Sequence, residues 1–158
     1  MPEGRRSVTE RLLLDVNALS ILLVGDHPGY EYVRDRLDPG LRGEDALLVS
    51  DYLPLRAQWV LTTQWDIDRV RARNAVTSVM EQPLELVAAS RETLRAAYEI
   101  SAAEDHDIYD CFYVALARQH DADALVTTDR DFETLCAGES FGYANPVPEE
   151  VLARFSEV

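Results

Sequence analysis

The run Arg11-Leu12-Leu13-Leu14-Asp15 decides the fold. It is short, apolar and halted by an acid, the pattern of a parallel strand buried on both faces. Asn17 then suits the N-cap of a helix from Ala18 to Val24, although a site role for Asn17 is an equal alternative. The same grammar returns late in the chain. Ala124-Leu125-Val126-Thr127 reads as a strand, Thr128-Asp129 closes it, and a short helix follows from Asp131 to Leu135.

Between these runs the chain alternates. Gly25-Asp26-His27-Pro28-Gly29 is a turn, Tyr30 to Leu37 a helix, and Pro39-Gly40 a loop. Ala46 to Val49 reads as a second strand. Pro54 suits the first turn of a helix reaching Thr63, and a further helix runs from Ile67 to Met80 until Pro83 ends it. Leu84 to Val87 is a third strand; Ser90 with Thr93 opens a helix to Glu104, and Asp107 opens another, Ile108 to Gln119. Phe141 to Ala144 and Glu149 to Phe155 supply a last strand and helix. Strands alternating with helices predict an α/β fold: a central parallel sheet of four to five strands with helices on both faces. The chain of 158 residues suits one domain, 1–158, with residues 1–9 as a peripheral or disordered tail. It contains no repeat, linker or low-complexity segment.

Composition narrows the function. Acids number 29 and bases 15, for a formal net charge of −14, and every base is arginine. A carboxylate-rich chain without lysine matches proteins of salt-loving organisms, in which salt screens the self-repulsion of a hydrated acidic surface. Such a surface argues against tight, nonspecific nucleic-acid binding at low salt, so any nucleic acid must be met locally, at a site. No apolar run approaches the roughly 18 residues needed to span a bilayer, and the first ten residues lack a signal-peptide core, so a soluble, cytoplasmic protein is expected. Cys111 and Cys136 have no ligand-spaced partner and read as buried thiols.

In parallel α/β sheets ligands bind beyond the carboxyl ends of the strands, and Asp15 and Asp129 both lie there. Asp15 ends an apolar strand, where a carboxylate is costly unless paired; its bland alternative is a capping acid. Asp110 lies early in a helix whose faces are almost all apolar. With Asp107 as N-cap it is the third helical residue, where it could merely favour the helix dipole. Asp129 could equally cap the short helix containing Phe132, and Asp131 reads as a first-turn acid. Together, three acids brought to one sheet edge suit Mg²⁺ or Mn²⁺, whose preference is for hard oxygen ligands, and metal-assisted attack of water on a phosphodiester.

Three segments, Leu13-Leu14-Asp15-Val16-Asn17-Ala18-Leu19, Ile108-Tyr109-Asp110-Cys111-Phe112-Tyr113-Val114-Ala115-Leu116-Ala117 and Ala124-Leu125-Val126-Thr127-Thr128-Asp129-Arg130-Asp131-Phe132, resemble the PIN-domain nucleases in order and separation. The resemblance covers about residues 10–136. It implies a metal-dependent ribonuclease fold, often the toxin of a toxin–antitoxin pair, cutting RNA to leave a 5′-phosphate and a 3′-hydroxyl. It also implies Asp15, Asp110 and Asp129 as catalytic and Mg²⁺- or Mn²⁺-holding residues, with Asn17, Thr127, Asp131 and Arg56 in support. RNA is then the substrate, and an antitoxin protein and a second copy of the chain are candidate partners.

One departure stands out. The family usually has a glutamate in the helix after the second strand, and that stretch, Leu47 to Leu61, carries Arg56 instead. Asp51, five residues earlier, lies about 140° around a helix of 3.6 residues per turn and does not replace it. Tyr52, Leu55, Trp59 and Val60 surround Arg56 with apolar neighbours, so the guanidinium needs a partner. A guanidinium about 5 Å from a divalent ion, at an effective dielectric of about 20, is repelled by roughly 6 to 7 kcal/mol. Arg56 therefore either takes the metal's place by pairing with Asp15 and Asp110, swings out to clamp a phosphate, or packs its stem on Trp59. The first outcome predicts a catalytically impaired RNA- or protein-binding relative. A haloacid-dehalogenase-type phosphotransferase also begins with a strand and an acid, but it needs a second aspartate where Asn17 stands, and a lysine. His27, His106 and His120 read as solvated surface residues, and Arg69, Arg71, Arg73 and Arg118 as partners of neighbouring acids.

Overall fold

The computed structural model describes residues 10–155; the expected N-terminal tail, 1–9, lies outside the described residues. Five strands form one parallel sheet, β1 (Arg11–Leu14), β2 (Ala46–Ser50), β3 (Leu84–Val87), β4 (Ala124–Val126) and β5 (Gly142–Ala144), in the order β3-β2-β1-β4-β5. Register is set by the central pair, with Leu12 opposite Ala124 and Leu14 opposite Val126. Leu12, Leu13, Leu14, Leu47, Leu48 and Leu125 are wholly buried, as expected of strands covered on both faces.

The helices are α1 (Val16–Leu22), α2 (Tyr30–Leu41), α3 (Leu53–Trp59), α4 (Arg69–Val79), α5 (Arg91–Glu104), α6 (Ile108–Gln119), α7 (Asp131–Leu135) and α8 (Glu149–Leu152). Strand order reverses at β1: the chain steps outward to β2 and β3, then returns through α5 and α6 to lay β4 on the other side. The crevice between β1 and β4 is thus the topological switch point, where such sheets leave room for a ligand.

Several boundaries differ from the sequence reading for physical reasons. Asn17 does not cap α1; Asp15 does, its carboxylate accepting from the Ala18 amide at 2.8 Å. α2 does not stop at Leu37 but runs through Pro39 to Leu41. At Gly40 an added Cβ would lie 2.3 Å from Leu47 Cδ2, so this end of the helix presses on β2 more closely than any other residue would allow. The helix expected to reach Thr63 ends at Trp59, and a single π-helical turn, Val60–Gln64, follows. α4 begins at Arg69 because Asp68 caps it through the Val70 and Arg71 amides. α8 ends at Leu152, short of the expected Phe155. No helix among the described residues is long and apolar enough to cross a membrane.

Candidate functional site

Asp15 follows β1 directly, its amide donating to the Val126 carbonyl of β4, and only 2 % of its surface is exposed. One carboxylate oxygen is occupied by the α1 amide. The other accepts the Thr127 hydroxyl at 2.5 Å. Thr127 is fully buried, and its oxygen in turn accepts the Asp129 amide at 3.0 Å. A hydroxyl has one proton, so its donation to Asp15 fixes the rotor and leaves a lone pair for Asp129. Thr127 thereby ties the two switch-point loops together across 112 residues of sequence.

Asp110 comes from α6. Asp107 caps that helix through the Tyr109 and Asp110 amides, which makes Asp110 its third residue, as expected. The uninterrupted burial of Cys111 to Ala117 forces α6 deep against the sheet and holds Asp110 half-buried. Its Oδ2 lies 2.9 Å from His106 Nε2. His106 is therefore not a free surface residue. It stands in the loop before α6, four residues ahead of Asp110, an i,i+4 spacing that is visible in the sequence.

Electrostatics tie the acids together. Burial pushes the Asp15 carboxyl up to about 7; hydrogen bonds from Thr127 and Ala18 oppose that rise, and the charges of Asp110 and Asp129 add to it. Burial likewise raises Asp110, the His106 hydrogen bond opposes it, and Asp129 and Asp107 raise it further. Asp15 thus feels Asp110 and Asp129, and Asp110 feels Asp129. Among the described residues, no three His, Cys, Asp or Glu side chains close into a ready-made metal cage.

The supporting residues diverge. Asn17 lies half-buried at the second position of α1. Asp131 is an exposed first-turn acid whose amide donates to Asp129 Oδ1 at 2.9 Å. Arg56 does not pair with Asp15 or Asp110: among the described residues it forms no ion pair. Its guanidinium carbon instead lies 4.2 Å from the ring centroid of Tyr109 and 5.5 Å from that of Trp59. The aromatic faces of α6 and α3 offer a cation an attraction without the desolvated geometry an ion pair would need. Beside this stack runs a groove lined by Asp51, Tyr52, Tyr98, Tyr109 and Phe112; none of the three aspartates lines it.

Of the other histidines, His27 is buried rather than solvated. Its Nδ1 accepts from the Gly29 amide at 3.0 Å, and its ring packs on Trp65 and Phe155. His120 ends α6 and bonds the Ala88 carbonyl through Nε2. Arg118 and Arg71 balance Glu139 and Asp26. Cys111 and Cys136 are free and buried, as expected.

The PIN domain profile matches residues 12–138. The fold is similar to that of VapC20 from Mycobacterium tuberculosis, described as a Sarcin-Ricin loop cleaving toxin: TM-score 0.63, 15% identity, 80% of this chain and 95% of that one. VapBC2 from Rickettsia felis, bound to a promoter DNA fragment, is similar over 85% of this chain and 98% of that chain, with TM-score 0.65 and 14% identity. A toxin–antitoxin complex from Klebsiella pneumoniae aligns over 86% and 98%, with TM-score 0.59 and 16% identity. No curated protein matches the chain in sequence. These likenesses concern the fold; the profile spans the three aspartates and the whole switch point, and the chain belongs to the PIN domain family.

Proposed function

We propose that the chain is a metal-dependent ribonuclease and the toxin of a toxin–antitoxin pair, with Asp15, Asp110 and Asp129 as its catalytic residues. The observation that carries this reading is the Thr127 bridge that ties Asp15 to the Asp129 loop at the β1–β4 switch point, where burial and the neighbouring acids raise the Asp15 carboxyl to about 7. Crowded, partly desolvated acids await a cation. The toxins among the solved structures with this fold support the same role.

The donor set fits Mg²⁺ or Mn²⁺ in a particular way. Mg²⁺ keeps several waters and is ordinarily held by one or two carboxylates with substrate phosphates, so a closed protein cage is not required. Asp15, Asp110 and Asp129 would hold it. When bound, the ion supplies positive charge against that developing on the scissile phosphate. The chain's own residues do the rest. Thr127 orients Asp15 and, through its lone pair, the Asp129 backbone; His106 fixes the Asp110 rotamer; Asn17 and Asp131 border the loops. Water attacks phosphorus, the P–O3′ bond breaks, and a 5′-phosphate and a 3′-hydroxyl remain.

The test is cleavage of single-stranded or transfer RNA with Mn²⁺ across salt concentrations. Asp110→Asn is expected to reduce the rate at least 100-fold, on the order of a lost charge-stabilising group; undiminished cleavage by that variant, or none by the wild type, rejects the reading. A second reading, a noncatalytic RNA- or protein-binding relative, is motivated by Arg56 in the helix after β2, where the resemblance leads one to expect a glutamate. In that case calorimetry finds no Mn²⁺ binding, and Arg56→Glu creates it.

A further inference from the structure

We propose that Arg56, held against the rings of Tyr109 and Trp59, binds a backbone phosphate of single-stranded RNA at the first turn of α6, the turn that carries Asp110. The proposal deepens the ribonuclease reading and rests on it for the class of substrate.

The first argument is how the other arginines are used. Arg11, Arg36, Arg42, Arg71, Arg118 and Arg130 each pair with a carboxylate. Arg34, Arg69, Arg73, Arg91, Arg95 and Arg154 form no such pair among the described residues, but all are exposed to water. Arg56 alone among the described arginines is both half-buried and without a carboxylate. Its Nε is buried and has no hydrogen-bond acceptor. An orphaned buried donor is costly, on the order of 1–3 kcal/mol, and more for a charged group. In a chain with 29 acids, a carboxylate for this guanidinium would have been easy to supply.

The second argument is orientation. Two rings hold the guanidinium without using its donors, since cation–π attraction engages its face; Nε is buried, and the Nη groups are left without a carboxylate. A planar fork with unspent edges matches phosphate geometry in two-point fashion. Tyr109, which supports it, immediately precedes Asp110 on α6. A phosphate held there would sit at the first turn of α6, the turn that carries Asp110.

The third argument is charge. An acidic surface repels a polyanion as a whole, so binding has to rely on local cations that are not already neutralised. Arg56 is such a cation, and Trp59 and Tyr109, each 45% exposed, offer π-faces beside it on which unstacked bases can rest.

The experiment is binding of a fluorescently labelled single-stranded RNA oligonucleotide to the full chain in EDTA, titrated across KCl concentrations by anisotropy. Arg56→Gln is expected to weaken binding about tenfold at low salt and to make the log–log salt slope shallower by about 0.7, the share of one phosphate on a single strand. A role confined to α3–α6 packing would lower the melting temperature and leave that slope alone, and an unchanged slope overturns the proposal. Should Arg56→Gln fail to fold, Tyr109→Leu keeps the charge and frees the fork. It is expected to weaken binding several-fold at constant slope, and equal affinity overturns the proposal. Competition by an acidic peptide with no change in the RNA slope assigns Arg56 to a protein partner and also overturns it. Cleavage with Mn²⁺, measured separately, keeps the two ideas apart. A cleaving enzyme with an unchanged slope refutes the clamp alone, and a slope change without cleavage refutes the nuclease alone. No RNA binding by the wild type refutes the clamp.

Discussion

Asp15 is charged at neutral pH only at a cost. Its carboxyl is raised from 3.8 to about 7 by burial and by the charges of Asp110 and Asp129. Because the folded value lies above the unfolded one, the stability it contributes is fully present below about pH 4 and is lost as pH rises through about 7. Asp15→Asn removes the titration and can keep both hydrogen bonds by donating to Thr127. It is expected to raise the melting temperature at pH 8 by several degrees, to leave it nearly unchanged at pH 4, and to abolish cleavage. Thermal melts at the two pH values check this; a variant less stable than wild type at pH 8 contradicts the burial argument. Thr127→Val preserves shape and β-branching but deletes the proton given to Asp15 and the acceptor used by Asp129. Urea denaturation at neutral pH should show a loss of about 1–3 kcal/mol. Cleavage should fall by at least tenfold, since both switch-point loops lose their common tether.

At the scale of elements, close approach matters more than propensity. Proline inside a helix ordinarily breaks it, yet α2 passes through Pro39, and Gly40 lets its last turn lie against Leu47. Gly40→Ala is expected to destabilise the protein by about 1–3 kcal/mol through overpacking, despite alanine's better helix propensity, as read by denaturant midpoint. No loss, or a gain, would mean that β2 yields freely to α2. The α6 helix shows the opposite case, in which local signals and packing agree. Asp107 caps it, Arg118 occupies its last turn, and burial from Cys111 to Ala117 leaves only its ends to face solvent. That is why Asp110, on the first turn, can be both anchored and accessible.

The molecule as a whole carries a formal charge of −14 with no lysine to vary its cation chemistry. Self-repulsion among surface acids is screened by salt over a Debye length of about 10 Å at 0.1 M and about 3 Å at 1 M. The melting temperature is therefore expected to climb as KCl rises from about 0.1 M to about 2 M, measured by calorimetry at constant pH. A flat or falling profile would remove the support for adaptation to high salt.

How much of this was legible in the residues varies from place to place. Leu12 to Asp15 and Ala124 to Thr127 announced buried parallel strands because their apolar runs stop at polar residues. The capping signals at Ser90 and Asp107 likewise set helix starts, since caps depend only on neighbours a few residues away. The acids at the sheet edge were visible for the same local reason. Asn17 was misread because two capping residues lay two positions apart, and only the tertiary bond from Thr127 shows why Asp15 is the one turned inward. The pairing of His106 with Asp110 has the i,i+4 spacing, but His106 lies ahead of the cap Asp107, so only the path of the loop turns its ring back onto the helix. For Arg56 the sequence revealed an anomaly without its resolution: a cation among apolar neighbours must find something. Whether that is a carboxylate, water or a ring depends on which side chains the α3–α6 seam brings within about 5 Å. Local chemistry thus determined the strands, the caps and the identity of the acids. Only the folded chain decided which distant groups meet, because those contacts depend on the packing of whole elements rather than on any run of neighbours.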